Sequence, residues 1–546
     1  MGDTEKRLVV FLILSVAIVY LFTLFMPPVP PPHPTQTGPA ASNPLQMTTA
    51  PTMAVGQAPT PGQSVPATPA TIVTIDTPLY QAQFTSTGGV LTRWELKTYT
   101  ETVNGSDPVV LYPPAEAPTR APLSLIIPGL DSTQLDHAAY RLEGGNAELN
   151  KDRPSARILF IADFPAPDRA DQKIHIEKEL LFHDDTYRVD LAVRVDGTSV
   201  PYQLTLGDNF ALYQDKGSQS SIGHRGAVSL VNDELVLDKP EKMASTSLTH
   251  SGVVRWTALE GKYFIAALIP RIPVGEAVST RTDSHGIIAG LIIPPGQRQE
   301  LALYAGPKEY KRLTALDTGL ERTIDFGWFM AWSLTLVQII AKPLFLLLQF
   351  VHEYTHNYGT AIILITVMIK LLFVPLTHKS YTSMKAMQTL QPKMAELQKK
   401  YKDDKERFNK ELFLLYKTHK VNPLGGCLPM LLQVPVFVAF FNILYTTIEL
   451  RHAPFILWVH DLSSQDPYYV LPIIMGITMF VQQKIQPSAM DPRQAKMMLL
   501  LPVVFTFFFL NFPAGLVLYW MFNNLLTILQ QYVTLKLQPT SAALTS

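Results

Sequence analysis

Four sets of residues in this chain have types and spacings that bear on chemistry. His352-Glu353-Tyr354-Thr355-His356 is an H-E-x-x-H string, which on a helix aims two imidazoles at one zinc ion and leaves the glutamate as general base. It specifies only three residues. A third ligand is at hand only if His460 and Asp461 fold back from a later loop, so no metal is expected and a zinc protease is the lesser reading. Cys427 is the one cysteine; it excludes an internal disulfide and suits a small packing residue better than a nucleophile. His224, Asp208 and Glu260 are scattered at no triad or ligand spacing and read as structural. The fourth set lies inside apolar runs: Lys370 with Thr366 one turn before it, Gln433, and then Asn523, Asn524, Thr527, Gln530 and Gln531.

A lysine deep in hydrocarbon costs about 2.5–3.5 kcal/mol. Either its stem snorkels to the headgroups or polar company surrounds it. Counted from the cytoplasmic ends of their runs, Lys370, Gln433 and Thr527 lie at a common depth of about 12–14 Å. Polar groups at one depth favour a wet cavity open to the cytoplasm. No Asp or Glu occurs in the five later spans to pair with the lysine, which removes the carrier of an ion-coupled relay. No P-loop appears, and no catalytic residue or cofactor is expected.

The elements that must hold these residues follow from composition. The 546 residues are 47% hydrophobic and 16% charged, with 45 basic against 45 acidic side chains, which excludes a disordered chain and a strongly basic nucleic-acid binder. Lys6 and Arg7 precede an apolar run from Leu8 to Met26, followed by prolines and no cleavage site; residues 1–26 read as an uncleaved anchor with its amino terminus in the cytoplasm. Residues 27–70 contain 13 prolines and no charge, an extended tether. From 71 to 323 short β-branched and aromatic runs, among them Ile72–Ile75, Val90–Leu96, Ala156–Ala162, Tyr187–Val195 and Gly286–Ile293, predict one large β-sandwich.

Residues 324–358 are apolar enough to span, yet a crossing there would put the basic loop downstream outside. They are expected to lie in the outer interface, split near Lys342-Pro343, with Trp328 and Trp332 at headgroup depth. Five spans follow within 359–536: about Thr360–Thr377, Leu424–Thr447, Pro467–Ile485, Met497–Phe512 and Ala514–Leu535. The loop 378–422 holds eleven Lys/Arg against five Asp/Glu, the loop Lys484–Lys496 three against one, and Glu449–Asp466 one against three. The bias puts both termini, including the tail 537–546, in the cytoplasm. Pro375, Pro429, Pro435, Pro472 and Pro502 are expected to loosen their helices. The short fifth span predicts local thinning of the bilayer. The basic loop reads as two amphipathic helices about Lys402-Asp403-Asp404, with Met384, Leu390, Met394 and Leu397 against Phe408, Leu412, Leu415 and Tyr416; its exterior suits lipid phosphates or ribosomal RNA, or is a solvated face.

Longer strings then carry a resemblance: Tyr381-Thr382-Ser383-Met384, Val421-Asn422-Pro423-Leu424-Gly425-Gly426-Cys427, Trp458 with His460-Asp461-Leu462, Gln465-Asp466-Pro467-Tyr468-Tyr469, Phe512-Pro513-Ala514-Gly515-Leu516-Val517-Leu518-Tyr519, and Tyr304-Ala305-Gly306-Pro307-Lys308. With them the chain resembles the YidC/Oxa/Alb family of membrane protein insertases over nearly its whole length. The resemblance implies a polytopic α-helical protein of the bacterial inner membrane with six transmembrane helices, five of them an insertase core, and a large periplasmic β-sandwich similar to sugar mutarotases. It implies a groove open to cytoplasm and lipid and closed to the periplasm. Lys370 stands where relatives commonly have Arg, Thr366 and Gln433 match other groove positions, and Trp520 stands where a second Tyr is common. Phe437, Met475 and Phe508 match positions along a client's apolar path. The H-E-x-x-H string is not a family feature. Implied partners are nascent membrane proteins, the Sec translocon, the ribosome, the signal recognition particle receptor and lipids; the rival reading is a small-molecule transporter.

Overall fold

The computed structural model describes residues 70–114, 120–166, 169–212, 224–239, 243, 247–282, 286–326, 334–402, 404–419, 421, 428–485 and 498–537. The anchor 1–26, the tether but for Ala70, Trp328, Trp332, Asp403, Asn422 to Cys427, most of the loop Lys484–Lys496 and the tail beyond Leu537 lie outside the described residues.

Side-chain alternation sets the β-domain that follows the tether. In Tyr80–Thr85 every second residue, Tyr80, Ala82 and Phe84, is buried, so one face of the strand belongs to the core. This strand is central in a five-stranded sheet, between Ile72–Asp76 and Val90–Thr100. A second sheet of 13 strands covers it, and aromatic rings close the gap: Phe84 meets Phe182 at 5.6 Å between centroids, and Trp94 meets Phe210 at 6.1 Å. Phe264–Pro270 is buried at every position, as a strand covered on both faces must be. All five expected strands form, with ends within four residues of those expected.

The described helices are α1 (Ser132–His137), α2 (Tyr310–Ala315), α3 (Leu334–Thr355), α4 (Tyr358–Thr389), α5 (Gln391–Lys400), α6 (Lys405–Thr418), α7 (Leu428–Thr446), α8 (Val470–Ile485), α9 (Leu501–Phe509) and α10 (Ala514–Leu537). Asn357 starts α4: its Oδ1 accepts from Thr360 N at 3.0 Å, filling one of the unpaired amides of a helix start, while its Nδ2 donates to Phe455 O at 3.0 Å. Among the described residues α4 is the one helix long and apolar enough to cross a membrane, with shorter apolar helices at Gln433–Thr446 and Val470–Ile485. Its outward residues Leu364, Met368, Leu371 and Leu372 are exposed, a lipid-facing stripe opposite buried Ile362, Ile365 and Thr366.

Three expectations are corrected. The interfacial segment is not split at Lys342-Pro343; α3 runs unbroken through Pro343, because Val337, Ala341, Leu344, Phe345 and Leu348 form one buried face whose packing outweighs the single lost hydrogen bond. The five prolines are not equivalent. Pro472 and Pro502 fall in first turns, where no intrahelical donor is needed, while Pro375 and Pro435 lie in helix interiors. The helix of the second span runs on past Thr377: α4 continues into the basic hairpin and turns only at Leu390, ahead of Pro392. In the hairpin Tyr416 Oη donates to Met394 Sδ at 3.7 Å, joining the faces predicted to meet. The regular part of the fifth span is nine residues, about 14 Å long, shorter than expected.

Gly359 is required where α4 meets the outer loop: a Cβ there would lie 2.1 Å from Phe455 Cδ2 and 2.9 Å from its Cβ. Gly359→Val is therefore expected to expel the Phe455 ring and destabilise the protein by about 1–3 kcal/mol. Thermal unfolding in detergent reads this as a lowered midpoint, with Gly275→Ala, which meets nothing, as control.

Candidate functional site

Lys370 lies twelve residues into α4, about 18 Å from its outer end. Thr366, one turn earlier on the same face, is buried and turns its hydroxyl onto Ile362 O at 2.7 Å. Lys370 does not extend along its own helix. Its Nζ donates to Thr527 Oγ1 of α10 at 2.7 Å, and Thr527 Oγ1 donates in turn to Asn523 O at 2.6 Å. The cation thus ends a short relay of dipoles pointing across the bundle, the charge-assisted kind of hydrogen bond that a half-buried ammonium needs.

Asn523, Thr527 and Gln531 succeed one another at four-residue intervals and are all buried, so the polar stripe of α10 faces inward. Asn524 reaches the other neighbour, donating to Thr478 Oγ1 of α8 at 3.3 Å. Gln433 of α7 meets the Tyr519 hydroxyl. The structure therefore joins Lys370, Thr527 and Asn523 in one chain of bonds, Asn524 with Thr478 in a second and Gln433 with Tyr519 in a third. Thr366 and Trp520 join none of them. Trp520 packs edge-on to Phe437 at 4.7 Å and against Phe509 at 5.4 Å. Phe508 is half-buried against Phe512 at 4.8 Å, and Met475 is fully enclosed. Thr478 and Tyr519 were missed as site residues. Thr478 is a hydroxyl in an otherwise apolar run, and including it in the depth count finds it.

The loop between α7 and α8 joins the starts of two helices at the outer end of the bundle. Asp466, fully buried, accepts from Trp458 Nε1 at 3.1 Å, Tyr468 N at 3.0 Å and Leu471 N at 2.7 Å. Asp461 accepts from His452 N, Ser463 N and the Ser463 and Ser464 hydroxyls. Gly515 N donates to Leu462 O at 3.0 Å and Ala514 N to Ser464 O at 2.7 Å. These bonds hold the starts of α8 and α10 to one loop.

The remaining candidates have other partners. The His352 ring stacks on Tyr358 at 3.7 Å, Glu353 pairs with Lys311, and His356 ends α3 with φ of 52°. Among the described residues no three metal-ligating side chains gather. His224 and Glu260, read as scattered, are in fact bonded: His224 Nδ1 lies 2.9 Å from Glu260 Oε1, and Lys308 Nζ donates to Glu260 Oε2 at 2.8 Å. Lys308 and His224 hold the buried Glu260 carboxyl below its ordinary range against the opposing cost of burial. Strand pairing of Gly226 with Glu260 and of Phe264 with Pro307 brings together what 36 and 48 residues separate.

Two family profiles match this architecture in order: that described as the YidC periplasmic domain over residues 72–347, and that described as the 60Kd inner membrane protein over residues 350–541. The membrane protein insertase YidC of Syntrophus aciditrophicus is 41% identical over 559 aligned residues, covering 97% of this chain and 99% of its own. The chain belongs to the YidC family of membrane protein insertases. A YidC insertase crystal structure with its first transmembrane domain resolved covers 84% of this chain and 91% of its own, at 17% identity and a TM-score of 0.36. A galactose mutarotase related enzyme from Lactobacillus acidophilus covers 43% and 97%, at 10% identity and a TM-score of 0.29. A YidC family protein is an inner-membrane insertase with a periplasmic domain and is not an enzyme; its clients are nascent membrane proteins.

Thr527→Val keeps the shape of the side chain and removes the oxygen that receives the lysine. The loss is expected to destabilise the bundle by about 1.5–3 kcal/mol. Thr527→Ser is expected to restore it; equal midpoints for Val and Ser in thermal unfolding contradict the assignment.

Proposed function

We propose that the chain inserts nascent proteins through a hydrophilic, positively charged groove between α4, α7, α8 and α10, open to the cytoplasm and to lipid and closed outside by the Asp466 lid. Lys370, Thr366, Gln433, Asn523, Asn524 and Thr527 take the polar tail of the client, and Trp520 borders them at the apolar side. The observation that carries this is the direction of Lys370: its contact with Thr527 turns the ammonium into the bundle and away from the headgroups.

A polar tail that crosses bare hydrocarbon meets the full desolvation cost of its charges and backbone. A cavity reaching halfway shortens the dry path, and thinning at α9 shortens it further. The apolar segment leaves past Phe437, Met475 and Phe508; Met475 is enclosed until α8 and α9 part. Burying about 20 apolar client residues in lipid drives the process, so no nucleotide is consumed. Both termini are cytoplasmic in this reading. The basic hairpin α5–α6 meets ribosomal RNA, the signal recognition particle receptor or inner-leaflet phosphates, and the Sec translocon is a partner in the membrane. A small-molecule carrier is disfavoured by the absence of intramembrane carboxylates.

In proteoliposomes, Lys370→Glu is expected to lower insertion of a single-span client with an acidic translocated tail by about tenfold or more, since reversing one charge about 4 Å away in the near-bulk dielectric of a hydrated groove changes the interaction by about 2 kcal/mol. Lys370→Arg is expected to retain it. Protease protection of the translocated tail is the readout, and equal insertion by all three proteins contradicts the electrostatic role.

A further inference from the structure

One of the groups where the periplasmic domain and the bundle meet is a carboxyl. Glu449 sits in the short 3-10 turn Ile448–Leu450 directly after α7. Its Oε1 accepts from Tyr310 N, the first amide of α2 in the periplasmic domain, at 3.1 Å, and from Gln349 Nε2 of α3 at 3.2 Å. Its Oε2 is buried with no hydrogen-bond partner. A buried carboxyl whose second oxygen receives no donor meets an uncompensated desolvation cost when it is ionised. The residue is partly exposed as a whole, so the proton can exchange with water.

The ionisable neighbours oppose a charge at this point. Glu309, the residue preceding α2, is held by Arg312 Nε at 2.6 Å and by the Tyr99 hydroxyl at the same junction as Glu449. Tyr99 and Tyr358 face the same junction from the five-stranded sheet and from α4. Lys342 lies over the Tyr310 ring at 5.8 Å, and Arg312 over Tyr187 at 5.2 Å. Nearby contacts are insensitive to pH near neutrality: Arg451 donates to Thr100 O at 2.9 Å and covers Tyr263 and Phe264 at 5.9 Å, and Asn442 donates to Phe326 O at 2.8 Å.

We infer that Glu449 is a positioning residue for insertion: protonated, it latches α2 of the periplasmic domain and α3 to the outer end of α7; ionised, it loosens that joint. Because α7 carries Gln433 and Phe437, the joint sets where the client-facing part of that helix stands, which rests on the groove reading above. Burial, with the like charge of Glu309 adding to it, pushes the Glu449 carboxyl up to about 7, against the lowering effect of its backbone and Gln349 hydrogen bonds. A group whose value is raised in the docked state favours docking fully below its free value near 4.5, and that contribution is lost as pH rises through about 7. The window therefore lies between about pH 4.5 and 7.

The test uses the full-length protein in proteoliposomes, with Cys427→Ser and spin labels on Ile272→Cys in the periplasmic domain and Leu457→Cys in the outer loop, both exposed. The pH on the side of the periplasmic domain is set to 5 or 7.5. The ratio of the narrow, docked distance population to the broad one is expected to fall at least tenfold between these values. Glu449→Gln, a fixed stand-in for the protonated form, is expected to stay docked at both, and Glu449→Asp to bring the pH dependence back. Insertion of a client without titratable residues is expected to follow docking in each protein. A ratio independent of pH in the unsubstituted protein overturns the inference, as does Glu449→Gln keeping the original pH response in distance or in insertion. The Lys370 substitutions, run in the same vesicles, test the groove by themselves: failure there leaves the distance measurement to decide the latch.

Discussion

An ammonium placed among apolar helices must find an acceptor, and that constraint organises the membrane part of this protein. Lys370 finds it across the helix interface, on Thr527 of α10, 157 residues away in sequence. The choice matters because two solutions were open: a snorkelled stem needs nothing from the neighbouring helices, whereas an inward one needs a hydroxyl at the right depth and a second acceptor behind it. Thr527 and Asn523 provide both. Once the charge is turned inward, Asn524, Thr478, Gln433 and Tyr519 form the surroundings that a polar chain entering from the cytoplasm would meet.

The outer half of the bundle has the opposite character. Asp466 and Asp461 accept from loop amides, an indole and hydroxyls, all within the loop between α7 and α8 or at the start of α8. The large sandwich is joined to this side of the bundle through α2 and α3, as in the contact of Tyr310 with Glu449, and directly through Arg451 on Thr100 O.

What could be read from the sequence followed from local periodicity. Ile72–Ile75 and Val90–Leu96 are β-branched and aromatic runs between turn residues, so their strands were legible; the depth assigned to Lys370 and Thr527 followed from a helix rise of about 1.5 Å per residue. Pro343 was misread as a break because the sequence does not display the buried face that holds α3 straight. Glu449 and Tyr310 lie 139 residues apart, and His224 and Glu260 36 residues apart, so no periodic signal links them. Such pairings come from topology. They are also where the most informative charged groups of the periplasmic side stand.

Whether water reaches the cation is the question on which the account turns. A nitroxide attached at Lys370→Cys in proteoliposomes can be compared with one at Leu372→Cys, two residues on and 73% exposed on the lipid-facing side. Power saturation with a water-soluble nickel chelate and with oxygen reports which medium each label contacts. The account predicts that the label at 370 is relaxed mainly by the chelate and the label at 372 mainly by oxygen. Oxygen-dominated relaxation at both positions would contradict it.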